Sequence, residues 1–132
     1  MIKRNERSAI SILLADSNPA ICTAFSLLLT HKLDAQVIGV AGDWDSLVSQ
    51  CTDLRPGLLL LEWHLPGFQG KEALKRLYSN FPGLKVLVMG IQLEDRQSAM
   101  DAAADGFIHK ADSPDRVIGS LLPYLDIREK MV

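Results

Sequence analysis

Glu62 closes a run of four leucines, Leu58 to Leu61, and is followed directly by Trp63, His64, Leu65, Pro66 and Gly67. A carboxylate at the end of such a run falls where open α/β sheets gather their active sites, outside the carboxyl ends of the strands. Other apolar runs end in a similar way. Ile10 to Ala15 leads into Asp16 and Ser17, Val86 to Met89 into Gly90 and Ile91, and Gly106 to Ile108 into His109 and Lys110. If these runs lie side by side, two acids and one lysine meet at a single edge. In such a cluster the lysine's charge offsets that of the carboxylates beside it. Taken singly, Asp16 reads as a helix cap and Lys110 as a solvated cation. As a set at successive strand ends, they read as one shared site.

The segments between these runs supply the frame. Asn18 or Ser17 is placed to cap a helix opening at Pro19, where a missing N–H costs nothing. Ile21, Ala24, Phe25, Leu28 and Leu29 then recur at helical spacing. Gln36 to Ala41 reads as a second strand, and Asp43, Asp45 or Ser46 opens a second helix that Arg55-Pro56-Gly57 breaks. The Leu58–Leu61 run lacks alternation, as a strand covered by helices on both faces does. Glu72 to Tyr78 carries a third helical stripe, and Leu93 to Ala104 reads as a fourth helix with an alanine-rich end. Asp112 or Ser113 caps a last helix with Pro114 in its first turn. Five strands separated by helix-length segments predict an α/β fold, a parallel sheet with helices on both faces. The spacing predicts one domain over 1–132, with its core at about 10–125 and a short polar arm at 1–8.

With 132 residues, 48% hydrophobic and 23% charged, the chain is long enough for one real core. A net charge of −2 advertises neither nucleic acid nor an anionic membrane, and no apolar stretch approaches the roughly 20 residues of a membrane span. Cys22 and Cys51 lack CxxC spacing, which suggests buried thiols in a reducing cytosol. His31, His64 and His109 form no local metal-ligand pattern. Trp44 is placed to shield the edge of the site, and Trp63 to cover a helix–sheet junction, with burial the simpler reading of both.

The stretches ILLADSNPAI, LLLEWHLPGFQG, KVLVMG and AADGFIHKADSP, from about Ile10 to Leu125, resemble a response regulator receiver domain of two-component signalling. The resemblance implies a three-layer sandwich with a five-stranded parallel sheet in flavodoxin-like topology. It also implies a site that takes a phosphoryl group from a histidine kinase onto an aspartate at the end of the third strand. Glu62 stands at that position. The paired acids that hold magnesium correspond to Asp16 and Ser17, the hydroxyl residue after the fourth strand to Gly90, the lysine to Lys110, and the aromatic switch residue to Phe107. Three of the five central chemical positions, 17, 62 and 90, therefore depart from the family pattern.

Each departure has a physical consequence. Glu62 is one methylene longer than aspartate, so its oxygen is displaced from in-line geometry, and an error of about 1 Å costs roughly 100-fold. Ser17 removes a hard anionic ligand, which leaves Asp16 and Glu62 as weak candidates for Mg2+ and no other cofactor expected. Gly90 lacks a hydroxyl; glycine for an unusual backbone angle and Ser17 as a simple helix cap are the plainer readings, and neither restores the missing side-chain chemistry. The expectation is a non-enzymatic pseudo-receiver in the cytoplasm that signals through a protein partner. The alternatives are an active atypical receiver and the receiver part of a longer transcriptional regulator, with Arg128 to Val132 opening a linker. The resemblance points to a homodimer through the fourth helix, fifth strand and fifth helix, a face including Gln97, Asp101, Arg116 and the surroundings of Tyr124, against a plainly solvated face. Nothing in the chain resembles a helix-turn-helix, so no nucleic-acid contact is expected through this domain.

Overall fold

The computed structural model describes residues 10–33 and 35–125. The polar arm at 1–8 and the segment from Arg128 to Val132 lie outside the described residues. Strands β1 (Ile10–Ala15), β2 (Ala35–Ala41), β3 (Leu58–Glu62), β4 (Lys85–Gly90) and β5 (Gly106–His109) alternate with helices α1 (Pro19–Lys32), α2 (Trp44–Leu54), α3 (Lys71–Asn80), α4 (Leu93–Asp101) and α5 (Pro114–Leu125). The strands form one parallel sheet in the order β2-β1-β3-β4-β5. The chain reverses its direction of travel across the sheet between β1 and β3, which opens a crevice at their carboxyl ends.

Period-two alternation divides the sheet's side chains between two cores. Leu13, Leu59, Leu61, Val86 and Val88 face α2, α3 and α4, meeting Leu47, Cys51, Leu74, Leu77 and Ala99. Ile12, Leu14, Leu58, Leu60, Leu87, Met89 and Ile108 face α1 and α5, meeting Phe25, Leu29, Val117 and Leu121. The predicted three-layer α/β sandwich is therefore the observed one. Both cysteines are free and buried. Burial pushes the Cys51 thiol up to about 11 and also raises Cys22. No helix among the described residues is long and apolar enough to cross a membrane.

Several details choose among the alternatives that the sequence left open. Asn18, not Ser17, caps α1, accepting from the N–H of Ala20 at 2.9 Å. Asp43 caps α2 by accepting from the N–H of Ser46. The turn after β3 needs Gly67, whose φ is +84° and whose missing Cβ would stand 3.0 Å from that of Trp44. Trp44 packs on Phe68 with ring centroids 5.5 Å apart, and Trp63 meets the same ring edge-on at 5.3 Å. Both indoles thus join the core over α2 and α3, and Trp44 does not line the site. Tyr124 is a tether more than a free surface group, because its hydroxyl donates to the carbonyl of Asp105 at 2.7 Å.

The largest correction concerns α4, which stops at Asp101 despite three following alanines. The N–H of Ala104 reaches back to the carbonyl of Ala99, and that of Ala103 to Met100. This is the double closure of a Schellman motif, which requires a left-handed residue at the position Ala103 occupies. Helix propensity yields here because Ala104 must be buried to start β5. Ala103 has φ +66° and an exposed side chain. A left-handed alanine costs about 1–2 kcal/mol, and glycine would give back about 0.5–1 kcal/mol in entropy. Ala103→Gly is therefore expected to stabilise the protein by roughly 0.5–1 kcal/mol, seen as a higher urea midpoint with an unchanged slope.

Candidate functional site

Main-chain ladders carry the site residues to one edge. The N–H of Asp16 donates to Ala41 at 3.0 Å, that of Trp63 to Met89 at 2.9 Å, and that of Lys110 to Gly90 at 2.9 Å. Each bond continues a strand pairing by one rung past the last regular residue. The ends of β1, β3 and β5 are thereby clamped to their neighbours, and Asp16, Glu62 and Lys110 meet as the sequence predicts.

Lys110 approaches Asp16 most closely, with Nζ 2.7 Å from Oδ2, and lies 3.8 Å from Oε2 of Glu62. Asp16 is only 3% exposed. Its Oδ1 accepts the N–H of Asn18 at 2.8 Å, while Oδ2 has the ammonium but no well-directed hydrogen bond. A carboxylate so buried is tolerable because the cation beside it offsets its lost hydration. Glu62 turns its other oxygen to the β1–α1 loop. Oε1 accepts from the backbone N–H of Ser17 at 2.8 Å and from its hydroxyl at 3.0 Å. Ser17 is thus not a helix cap but a two-point clasp on Glu62.

These residues do not fit a preformed magnesium site. The ion wants near-octahedral oxygen ligands. Here the Ser17 hydroxyl is spent on Glu62, one oxygen of each acid already accepts N–H groups, and an ammonium lies against both carboxylates. No cluster of three or more His, Cys, Asp or Glu able to hold a metal occurs among the described residues.

At β4 the structure adds two residues that the sequence did not single out together. Gly90 does not have the positive φ that would demand glycine; its constraint is space. A Cβ there would stand 2.8 Å from Cβ and 2.9 Å from Oδ2 of Asp95, and 3.1 Å from Cε1 of Phe107. Asp95, on the first turn of α4, is 6% exposed. Its Oδ2 accepts the N–H groups of Ile91 (3.3 Å) and Gln92 (3.2 Å), and its Oδ1 lies 2.8 Å from Nε2 of His64. His64 and Asp95 are 31 residues apart, so no local pattern joins them. The only sequence signal was an acid near the start of a helix, where it complements the dipole. Phe107 lies on β5 opposite Ile108, half-buried beside Ala99 and its neighbours, with the Arg96 guanidinium 6.0 Å from its ring centroid. His109 shares the side of Phe107, and its Nδ1 accepts the N–H of Ala111.

Residues 12–121 match the family of the response regulator receiver domain. The transcriptional activator protein ExaE of Pseudomonas putida is 32% identical over 111 residues, 83% of this chain and 52% of that protein. The nitrate/nitrite response regulator protein NarL of Escherichia coli K12 is 28% identical over 113 residues, 84% of this chain and 52% of its own. Among solved structures, a LuxR-family two-component response regulator from Aurantimonas superposes with a TM-score of 0.79 at 20% identity, covering 89% of this chain and 86% of that one. A CheY-like receiver domain protein from Methanospirillum hungatei gives 0.77 at 24%, covering 95% and 100%. The chain belongs to the response regulator receiver domain family. It spans about half the length of the curated relatives it matches.

The Asp95 contacts have a measurable electrostatic consequence. Burial would raise this carboxyl, but the hydrogen bonds from His64, Gln92 and Ile91 outweigh it and hold the group below its ordinary 3.8. A depressed carboxyl contributes stability above its unfolded value, and that contribution is lost as pH falls through the folded value. Wild type should therefore exceed Asp95→Asn by about 1–3 kcal/mol at neutral pH, with the gap closing as pH falls below 3.8. Urea unfolding at stepped pH measures it; a gap that persists undiminished in acid would contradict the assignment.

Proposed function

We propose that this receiver domain signals through protein–protein interaction without a phosphorylation cycle, as a non-enzymatic module. The observation that carries this reading is the commitment of Glu62. One carboxylate oxygen is clasped by both donors of Ser17, and the other lies at ion-pair distance from Lys110. An acceptor oxygen must be free and in line with the incoming phosphorus, and displacement from that line is heavily penalised. The anionic ligand that would hold magnesium is replaced by Ser17, and the hydroxyl that would meet the transferred group is replaced by Gly90. Weak Mg2+ association with Asp16 and Glu62 is the most this donor set supports.

The partner belongs to the same signalling class, a histidine kinase or a downstream protein. Self-pairing through α4, β5 and α5 is retained as a proposal for the face that includes Gln97, Asp101 and Arg116. Tyr124 serves that face from behind, by holding α5 to the start of β5. We further propose that the domain works in the cytoplasm as the receiver part of a longer transcriptional regulator. The support is the roughly twofold length of the relatives and the name of one of them, a transcriptional activator.

Incubation with acetyl phosphate and Mg2+, followed by intact mass measurement, tests the central reading. No phosphoryl increment is expected, and the fluorescence of Trp63, next to Glu62, should not change with Mg2+. A stable single phosphoryl group mapped to Glu62 would establish the alternative, an active atypical receiver.

A further inference from the structure

The space beside Gly90 is already filled. Asp95 sends its carboxylate from the first turn of α4 into the position that a side chain at residue 90 would need, at separations of 2.8 and 2.9 Å. The same carboxylate accepts the N–H groups of Ile91 and Gln92, the first two residues beyond β4. These are the loop donors nearest the strand end. On the other side, His64, two residues after Glu62, contacts Oδ1 at 2.8 Å.

From these contacts we infer that Asp95 is the positioning residue of the β4–α4 loop, an internal anion that fills the space beside Gly90 and accepts the loop's N–H groups, with His64 fastening it to the β3–α3 loop. The contact spans three pieces of chain. It joins the residues just after β3 to the start of α4 and holds the loop between β4 and α4 against both. Burial of the carboxylate is compensated by three N–H donors and by its place in the first turn of α4. Nothing has to be added to the site for this to form. The β4–α4 loop thus has one anchored position, set by the chain's own charge. This deepens the phosphorylation-independent reading and rests on it for the signalling consequence, whereas the loop contact itself is testable with no phosphodonor present.

Gly90 and Asp95 are then a matched pair, glycine being required by what the aspartate occupies. Two measurements on the full chain test this. Hydrogen exchange followed by NMR should show the Ile91 and Gln92 amides exchanging at least about tenfold faster in Asp95→Ala, as loss of a charged acceptor predicts. In His64→Ala, an exposed change that leaves the core intact, the same amides should exchange roughly threefold to tenfold faster. A double-mutant cycle then pairs Gly90→Ala with Asp95→Gly, which removes the opposing Cβ. The destabilisation by Gly90→Ala should shrink when Asp95 is glycine. Unchanged exchange at Ile91 and Gln92 in both Asp95→Ala and His64→Ala, or strictly additive stabilities in the cycle, would overturn the inference. Phosphorylation of Glu62 in a chain that still shows the coupling would defeat the reading under Proposed function and leave this one standing.

Discussion

Leu58 to Leu61 on β3 lie between β1 and β4 with helices on both faces, and none is more than 2% exposed. A strand so enclosed can place a charge only where the sheet stops. Glu62 stands at that point, and the adjoining strands stop level with it through the ladder bonds of Asp16, Trp63 and Lys110. The charged edge is thus a consequence of burying the centre. The two apolar cores pull the strand bodies together, and the ionisable groups are left in contact in the crevice at the β1–β3 reversal.

Within that crevice, charge compensation is local and nearly complete. The most buried acid, Asp16, has the nearest cation. Glu62 is satisfied by Ser17, and Asp95 by His64 and two backbone N–H groups. Each acid has a cation or N–H and O–H donors of this chain as its partner. Two of the departures take part in this pairing: Ser17 donates to Glu62, and Gly90 leaves room for the carboxylate of Asp95.

The strands, their order of appearance, and the convergence of Asp16, Glu62 and Lys110 were legible because apolar runs and turn residues report burial directly. Helix ends were less so. The alanines after Asp101 favour helix by propensity, yet a left-handed Ala103 ends it because the chain must turn to seat Ala104 and β5. Asn18 and Ser17 both read as caps for α1; Asn18 takes the cap, and the serine hydroxyl is free for Glu62. Gly90 read as a lost hydroxyl or a special backbone angle. The structure supplies a different reason, a neighbour's carboxylate in the way.

Local sequence therefore determined what depends on patterning along the chain: the α/β class, the buried strands, and the acids and lysine at their ends. Side-chain pairing was decided only by tertiary structure. Lys110 had two acids to choose between and lies nearer Asp16. His64 and Asp95 meet across 31 residues, where neither periodicity nor spacing carries information. Such contacts depend on distances of a few tenths of an ångström between elements that come together only once both cores have packed.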